Sequence, residues 1–382
     1  MRFIHTADWH LGRLFYGVHL TDDQAHLLDD LVRLIAEVKP HALLIAGDIY
    51  DRAVPPPEAV ALLDDVLSRV VGDLGVPVVM ISGNHDSPDR IAFASRLLAR
   101  ERLHVVGALN TEIAPVVLED EHGPVHICAL PYAEPPVVRE KLGDAQIQDH
   151  DTALGALLGR VRRAHPTGAR SIVLAHAFIA GGEASDSERP LSVGGAGQVD
   201  RSRFTGFDYV ALGHLHRPQR AGGSLHYAGS LMKYSFAEAD HTKSVSLVEL
   251  DHAGRVSVER LKLRARRDVR CLDGTLSDLL RGPAAGENRD DYLMVTLRDK
   301  GPILDPLGKL RQVYPNVLHL ERPALFAATK HGDTTDPRRL LEEDLFGAFF
   351  AQMTGEQLDA REKAAFSAVL EEVRRQPEED GA

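Results

Sequence analysis

Apolar residues in the first half of the chain gather in short runs of four to six, separated by stretches where they recur every three or four positions. The runs suit buried strands and the stretches suit amphipathic helices, so their alternation predicts an α/β domain. Expected strands are Phe3 to Thr6, Ala42 to Ala46, Val76 to Ile81, Val125 to Leu130, Ser171 to Ala175 and Tyr209 to Leu212. Between the first two lies a helix with Leu28, Leu31, Val32 and Ile35 on one face; Thr21 and Gln24 open it with capping-box spacing and Pro40 closes it. A second helix, Pro57 to Val71, starts on proline and turns Val60, Leu63, Val66 and Val70 inward.

Near residue 265 the pattern changes. In RLKLRARRDVR, residues 260 to 270, Arg260, Lys262, Arg264 and Arg266 alternate with Leu261, Leu263 and Ala265, as on a strand with one basic face. Such a face is either solvated or a track for a nucleic-acid backbone. Strand-like VRCL, helix-like TLSDLLR, strand-like DYLMVTLRD, helix-like DPLGKLRQV and strand-like VLHLER then build a small second α/β unit. FAATKHGDTTD reads as a linker. After it, Asp336 and Pro337 start a helix carrying Leu341, Leu345, Phe346, Phe349, Phe350 and Met353, which Gly355 stops. A final helix turns Phe366, Val369, Leu370 and Val373 inward before an acidic tail. The expected divisions are 1–265, 266–325, the linker 326–336 and C-terminal helices over 337–382.

Composition narrows the class. Apolar residues at 44% and charged residues at 26% mark a soluble globular chain, and 382 residues exceed one ordinary core. No apolar run approaches the roughly 18 residues that cross a bilayer, and MRFIHTADWH holds no signal-peptide core, so a cytoplasmic protein without membrane partners is expected. Cys128 and Cys271 form no CxxC pair, which removes a disulfide framework and a thiolate zinc site. The formal net charge of −12 opposes broad attraction to nucleic acid, although bound divalent cations would reverse the sign locally.

Five of the six expected strand ends carry oxygen or imidazole donors: Asp8 and His10, Asp48, Asn84 with His85 and Asp86, His176, and His214 with His216. In α/β sheets ligands bind beyond the carboxyl ends of strands, where loops converge from rigid elements. The spacing of Asp8 and His10, and of His214 and His216, puts each pair on one side of a pleat. Gly47, Gly83 and Gly213 let the backbone pass close to whatever lies at the centre. The alternative, capped strand ends and hydrogen-bonded core histidines, explains any one motif but not all five in order. Seven candidate ligands exceed the needs of one ion. Two ions sharing a carboxylate would use them, and Asp48 is the natural bridge. Mixed oxygen and imidazole donors suit Mn²⁺ and leave Fe and Zn open.

The series ADWHLG, GDIYD, GNHD, His176 and GHLH resembles the calcineurin-type metallophosphoesterase superfamily. HTADWHLG, SERPLSVGGAGQVD and YVALGHLHRPQ narrow the resemblance to the SbcD family, the nuclease component of the bacterial SbcCD complex, over the whole length. It implies a four-layer α/β/β/α sandwich, a small α/β capping domain that directs DNA, and C-terminal helices that bind SbcC, a coiled-coil ATPase. It also implies a homodimer. By the same resemblance one ion is held by Asp8, His10, Asp48 and His216 and a second by Asp48, Asn84, His176 and His214, with His85 as the catalytic histidine. Asp51 stands where purple acid phosphatases carry a tyrosine ligand, and Asp51 or Arg52 replaces a second histidine of some archaeal relatives. The implied activity is Mn-dependent cleavage of DNA, as a double-strand exonuclease and hairpin or single-strand endonuclease in end processing, repair and recombination. A metallophosphatase or cyclic-nucleotide phosphodiesterase would use the same chemistry. An inactive scaffold would have lost ligands that are all present here.

Overall fold

The computed structural model describes residues 1–191, 197–300, 303–323, 346–347, 349–351 and 357–375. The chain divides into two compact units, Met1–Cys271 with Asp290–Leu293, and Leu272–Arg289 with Met294–Ala382. No helix among the described residues is long and apolar enough to cross a membrane.

Five strands of the first unit lead to the site: β1 (Arg2–Thr6), β2 (Ala42–Ala46), β3 (Val78–Ile81), β4 (Arg170–His176) and β5 (Tyr209–Gly213). One six-stranded sheet runs Val256–Lys262, Ser244–Leu250, β1, β2, β3, Leu103–Val106. The other runs Gln219–Gly222, Leu225–Tyr227, β5, β4, Gly123–Leu130, Val116–Asp120. Within the first sheet β1, β2 and β3 are parallel, and within the second so are β4 and β5.

Alternation along each strand decides what each face meets. Ala42 and Leu44 of β2, Val79 and Ile81 of β3, Ile172 and Leu174 of β4, and Tyr209 and Ala211 of β5 join one core between the sheets. Their neighbours Leu43, Ile45, Val78 and Met80 face helices α1 (Thr21–Val38) and α2 (Pro57–Leu67). Val173, Ala175, Val210 and Leu212 face helix α3 (His150–Ala164) on the far side. The result is the expected helix–sheet–sheet–helix sandwich.

Local details depart from expectation. β3 begins at Val78, because Pro77 has no N–H to give the ladder. Val60 is 45% exposed, and Ala59 takes its place on the inner face of α2 beside Leu63 and Val66. There the small side chain lies under Gly12, where a Cβ would come within 3.1 Å of it. The helix ends at Leu67 and widens into a π-turn over Ser68–Asp73. Thr21 and Gln24 form no capping box, since the N-cap is Leu20 and no side chain caps it. The basic segment is not one strand either. It stops at Lys262, and further on Arg267 pairs with Asp23 and Arg270 with Asp291.

After the sandwich the chain forms a three-stranded sheet, in the order Val269–Gly274, Tyr292–Leu297, Val317–Glu321, with helices Leu276–Leu279 and Pro306–Val313. The expected linker 326–336 lies outside the described residues, as do Leu341, Leu345 and Met353. The last helix, Ala360–Arg375, stacks Phe366 on Phe346 with ring centroids 3.9 Å apart. Val369 does not turn inward but is 58% exposed, because the covered side of the helix carries Phe366 and Leu370.

Candidate metal centre

All the strand-end donors meet at one end of the sandwich. β1 stops at Thr6, and Asp8 and His10 follow in the left-handed region with φ of 54° and 46°. Asp48 and His214 share that strain, with φ of 49° and 106°. Each such residue costs about 1–3 kcal/mol and persists only where its surroundings hold it. The holding bonds run between loops: Asp8 N–H donates to Gly47 O at 3.0 Å, and His10 N–H to Asp48 O at 3.0 Å. Strand pleating therefore does not aim Asp8 and His10. Left-handed turns do. His214 and His216 likewise part company rather than sharing a side.

The imidazoles form two sets. His10 Nε2 and His216 Nε2 stand 3.0 Å apart. His176 Nε2 and His214 Nδ1 both approach Asn84 Oδ1, at 2.9 and 3.2 Å. Between the sets lies Asp48, whose Oδ2 is 3.6 Å from His10 Nε2 and 3.5 Å from His176 Nε2. Donor atoms of Asp8, His10 and His216 lie within 4.8 Å of one another, and so do those of Asp8, Asp48 and His176. Asp8 thus borders both sets. A third such group joins His10, Asp51 and His85.

Glycine is required where these loops touch. A Cβ on Gly83 would lie 2.1 Å from Asp48 Oδ1, and one on Gly213 would lie 2.0 Å from Ala46 O. The polar end of β3 now has its reason. Asp86 turns back and accepts from the N–H groups of Gly83, Ile49 and Tyr50 at 2.8, 3.0 and 2.9 Å, locking the β3 exit to the β2 exit. Burial and the neighbouring Asp48 push its carboxyl up to about 7 against those three donors. His85, half-buried, donates its backbone N–H to Asp48 Oδ1 at 2.9 Å, and its ring Nδ1 faces Asp51 O at 2.9 Å.

Electrostatics match a cation cradle. Burial lowers His10 and His216 to about 4, lowers His176, and lowers His214 well below its ordinary value, which favours the neutral imidazole, the form that ligates. Asp8 is raised by burial and by the charge of Asp48. Burial also pushes Asp48 upward, but His176, His10 and His85 outweigh it and hold it below the carboxylate range. The fully buried His10 Nδ1 has no hydrogen-bond partner. The 3.0 Å between the two Nε2 atoms is the distance between adjacent donors each about 2.1 Å from a common ion. The residues therefore fit divalent cations.

Several supports were not legible in the chain. Gln24, buried on α1, gives its amide to Trp9 O and His10 O at 3.2 and 2.8 Å, tying the helix to the β1 exit instead of capping itself. Tyr234 OH also donates to Trp9 O. Glu188, Glu238 and Lys243 surround His216. Of these three only Glu188 had a signal, its place in the motif SERPLSVGGAGQVD.

Residues 1–218 match the family described as calcineurin-like phosphoesterase, and residues 265–354 match the type 5 capsule protein repressor C-terminal domain. The SbcD component of the SbcCD nuclease of Staphylococcus saprophyticus is 31% identical over 372 residues, 97% of this chain and 98% of that one. The chain belongs to the SbcD family of calcineurin-like phosphoesterases. A second SbcD relative, from the SbcCD nuclease of Staphylococcus epidermidis, is 31% identical over 94% of this chain and 95% of its own. Membership makes this SbcD-type chain a metal-dependent hydrolase of phosphoesters, and its strand-end cradle supplies the donors for divalent ions.

Proposed function

We propose that the chain is a Mn²⁺-dependent DNA nuclease that holds two ions and hydrolyses phosphodiester bonds, acting on duplex ends, hairpins and single strands. The observation that carries the reading is the position of Asp48 Oδ2, 3.6 Å from His10 Nε2 and 3.5 Å from His176 Nε2, between two sets of donors. One set is Asp8, His10, Asp48 and His216; the other is Asp48, Asn84, His176 and His214. Bound ions would neutralise phosphate charge and make a water molecule acidic enough to attack phosphorus. Around them the chain's own residues orient the reactants. Asn84 presents an uncharged oxygen, and Asp48 a carboxylate whose Oδ1 accepts the backbone N–H of His85 at 2.9 Å. His85 gives Nδ1–H to Asp51 O, which turns Nε2 toward the departing sugar oxygen, and the ring protonated on both nitrogens would pass its Nε2 proton to that oxygen. Asp51, engaged by Arg13 at 2.9 Å, supports His85 and His10 and donates no proton of its own.

Choice of DNA over a small phosphoester is supported by two relatives named as parts of a nuclease and by the second α/β unit, to which we assign the directing of DNA. The C-terminal helices, with Phe346 stacked on Phe366, are assigned to docking an SbcC-type coiled-coil ATPase. That partner would supply the DNA affinity that a net charge of −12 does not, and the catalytic unit would pair with a second copy. Linear duplex and hairpin DNA with added Mn²⁺, with and without the ATPase, assayed beside a phosphomonoester, test the reading. Cleavage of DNA is expected; turnover of the small ester alone would make the protein a phosphatase.

A further inference from the structure

Glu238 is placed where a carboxylate is costly. Its side chain is 0% exposed, at the end of a short turn over Phe236–Glu238, and no apolar demand of the fold calls for it. It accepts from Lys243 Nζ, a side chain 8% exposed, and from Ser187 Oγ. Lys243 Nζ reaches on to His216 O at 2.7 Å and Ser230 Oγ at 2.8 Å. Ser187 Oγ faces His216 Nδ1 at 2.6 Å, while Glu238 Oε1 stands 3.3 Å from that nitrogen.

Ser185 Oγ, 3.0 Å from Ser187 Oγ, has its closest acceptor in Glu188 Oε2 at 2.7 Å, and with its hydrogen there the donor count leaves one arrangement. A carboxylate only accepts, so the Ser187 hydroxyl gives its proton to Glu238 and turns a lone pair to His216. His216 Nδ1 must then carry the hydrogen, and its Nε2 lone pair points at the cradle, 3.0 Å from His10 Nε2. The backbone of His216 is held as firmly, its N–H on Glu188 Oε1 at 2.7 Å and its carbonyl on Lys243. His10 has no equivalent: Asp51 Oδ1 lies 3.6 Å from its Nδ1. His176 has only a carbonyl, Ala46 O at 2.9 Å.

We propose that Glu238, acting through Ser187 and charge-balanced by Lys243, is a positioning residue that sets the tautomer and direction of His216, and so sets the affinity of one of the two ions. The loop bearing Ser187 and Glu188 is thereby part of the metal site. The proposal rests on the reading of the cradle as a two-ion centre.

Calorimetric titration of the full chain with Mn²⁺ tests it, with imidazole ¹⁵N spectra of the metal-free protein alongside. Ser187→Ala and Glu238→Gln should each weaken one ion by about 10–100-fold, the usual cost of losing such a support, and leave the other unchanged. The pair combined should be no weaker than Glu238→Gln alone, since the two act in series. Ser187→Thr, which keeps the hydroxyl, should restore affinity. His216 should lose its single Nδ1–H tautomer in Ser187→Ala, a change that mere loosening of the fold would not single out. Glu238→Gln strips Lys243 of its partner; where that unfolds the chain, Ser187→Ala carries the test with the ion pair intact. Wild-type binding of both ions by a folded Ser187→Ala variant, or equal weakening of both, overturns the proposal. A wild-type chain that binds no ion overturns the metal reading beneath it, and does so before any variant is made.

Discussion

The carboxylate of Asp86 accepts the backbone N–H of Tyr50 at 2.9 Å, joining the loop after β3 to the loop after β2. The same carboxylate holds Ile49 and Gly83, so the turn that carries Asp48 depends on it. Asp86→Ala leaves three N–H groups without their acceptor, and losing such a bond costs about 1–3 kcal/mol. A urea midpoint lowered accordingly, with weaker Mn²⁺ binding, is expected. An unchanged midpoint would mean that the loops are held by other contacts.

Gly83→Ala should be worse for the site than for the fold. Its Cβ would fall 2.1 Å from Asp48 Oδ1 and 2.3 Å from Asp48 N, so the Asp48 carboxylate must leave its place. We expect loss of metal binding by calorimetry with far-ultraviolet circular dichroism retained. Tight metal binding by the variant would show that Asp48 is not confined by β3.

Asp48 and His85 should separate binding from chemistry. Asp48→Ala removes the donor between the two imidazole sets and should empty both sites, so that Mn²⁺ no longer raises the melting temperature. In the wild type, each Mn²⁺ site at about 100 times its dissociation constant adds about 2.7 kcal/mol, which a chelator should abolish. His85→Ala should keep that stabilisation and lose DNA cleavage. Loss of both together would place His85 among the ligands.

Acid should weaken one bridge far from the site. Arg170 donates twice to Asp120, at 2.8 and 2.5 Å, and holds its carboxyl below the usual carboxylate range. A depressed folded pKa means stability that is present at neutral pH and is lost as pH falls below about 4, the value of the unfolded carboxyl. Asp120→Asn should therefore be less stable at pH 7 by about 1.5–3 kcal/mol, the range for hydrogen bonds to charged groups, with the gap closing in acid. A gap that is constant across a urea series at several pH values would argue against this linkage.

What the chain declared on its own was local. Runs such as Ala42–Ala46 and Tyr209–Gly213 are buried on both faces, so their β pattern is continuous and their ends abrupt, and the donors Asp48, His214 and His216 stand just past those ends. The elements after residue 265 were legible by alternation instead, as along Val269–Gly274, where covered and exposed residues take turns. Tertiary structure decided the partners. Gln24 fits a capping box by spacing, yet its amide serves the β1 exit and Tyr234, 210 residues away. Val60 fits an inward face, yet the approach of Gly12 selects Ala59. Glu238 and Lys243 look like surface charges until His216 is beside them. Periodicity reports the environment of a segment, because burial repeats along it. Which buried charge meets which imidazole depends on contacts between segments far apart in the chain, and no local spacing encodes them.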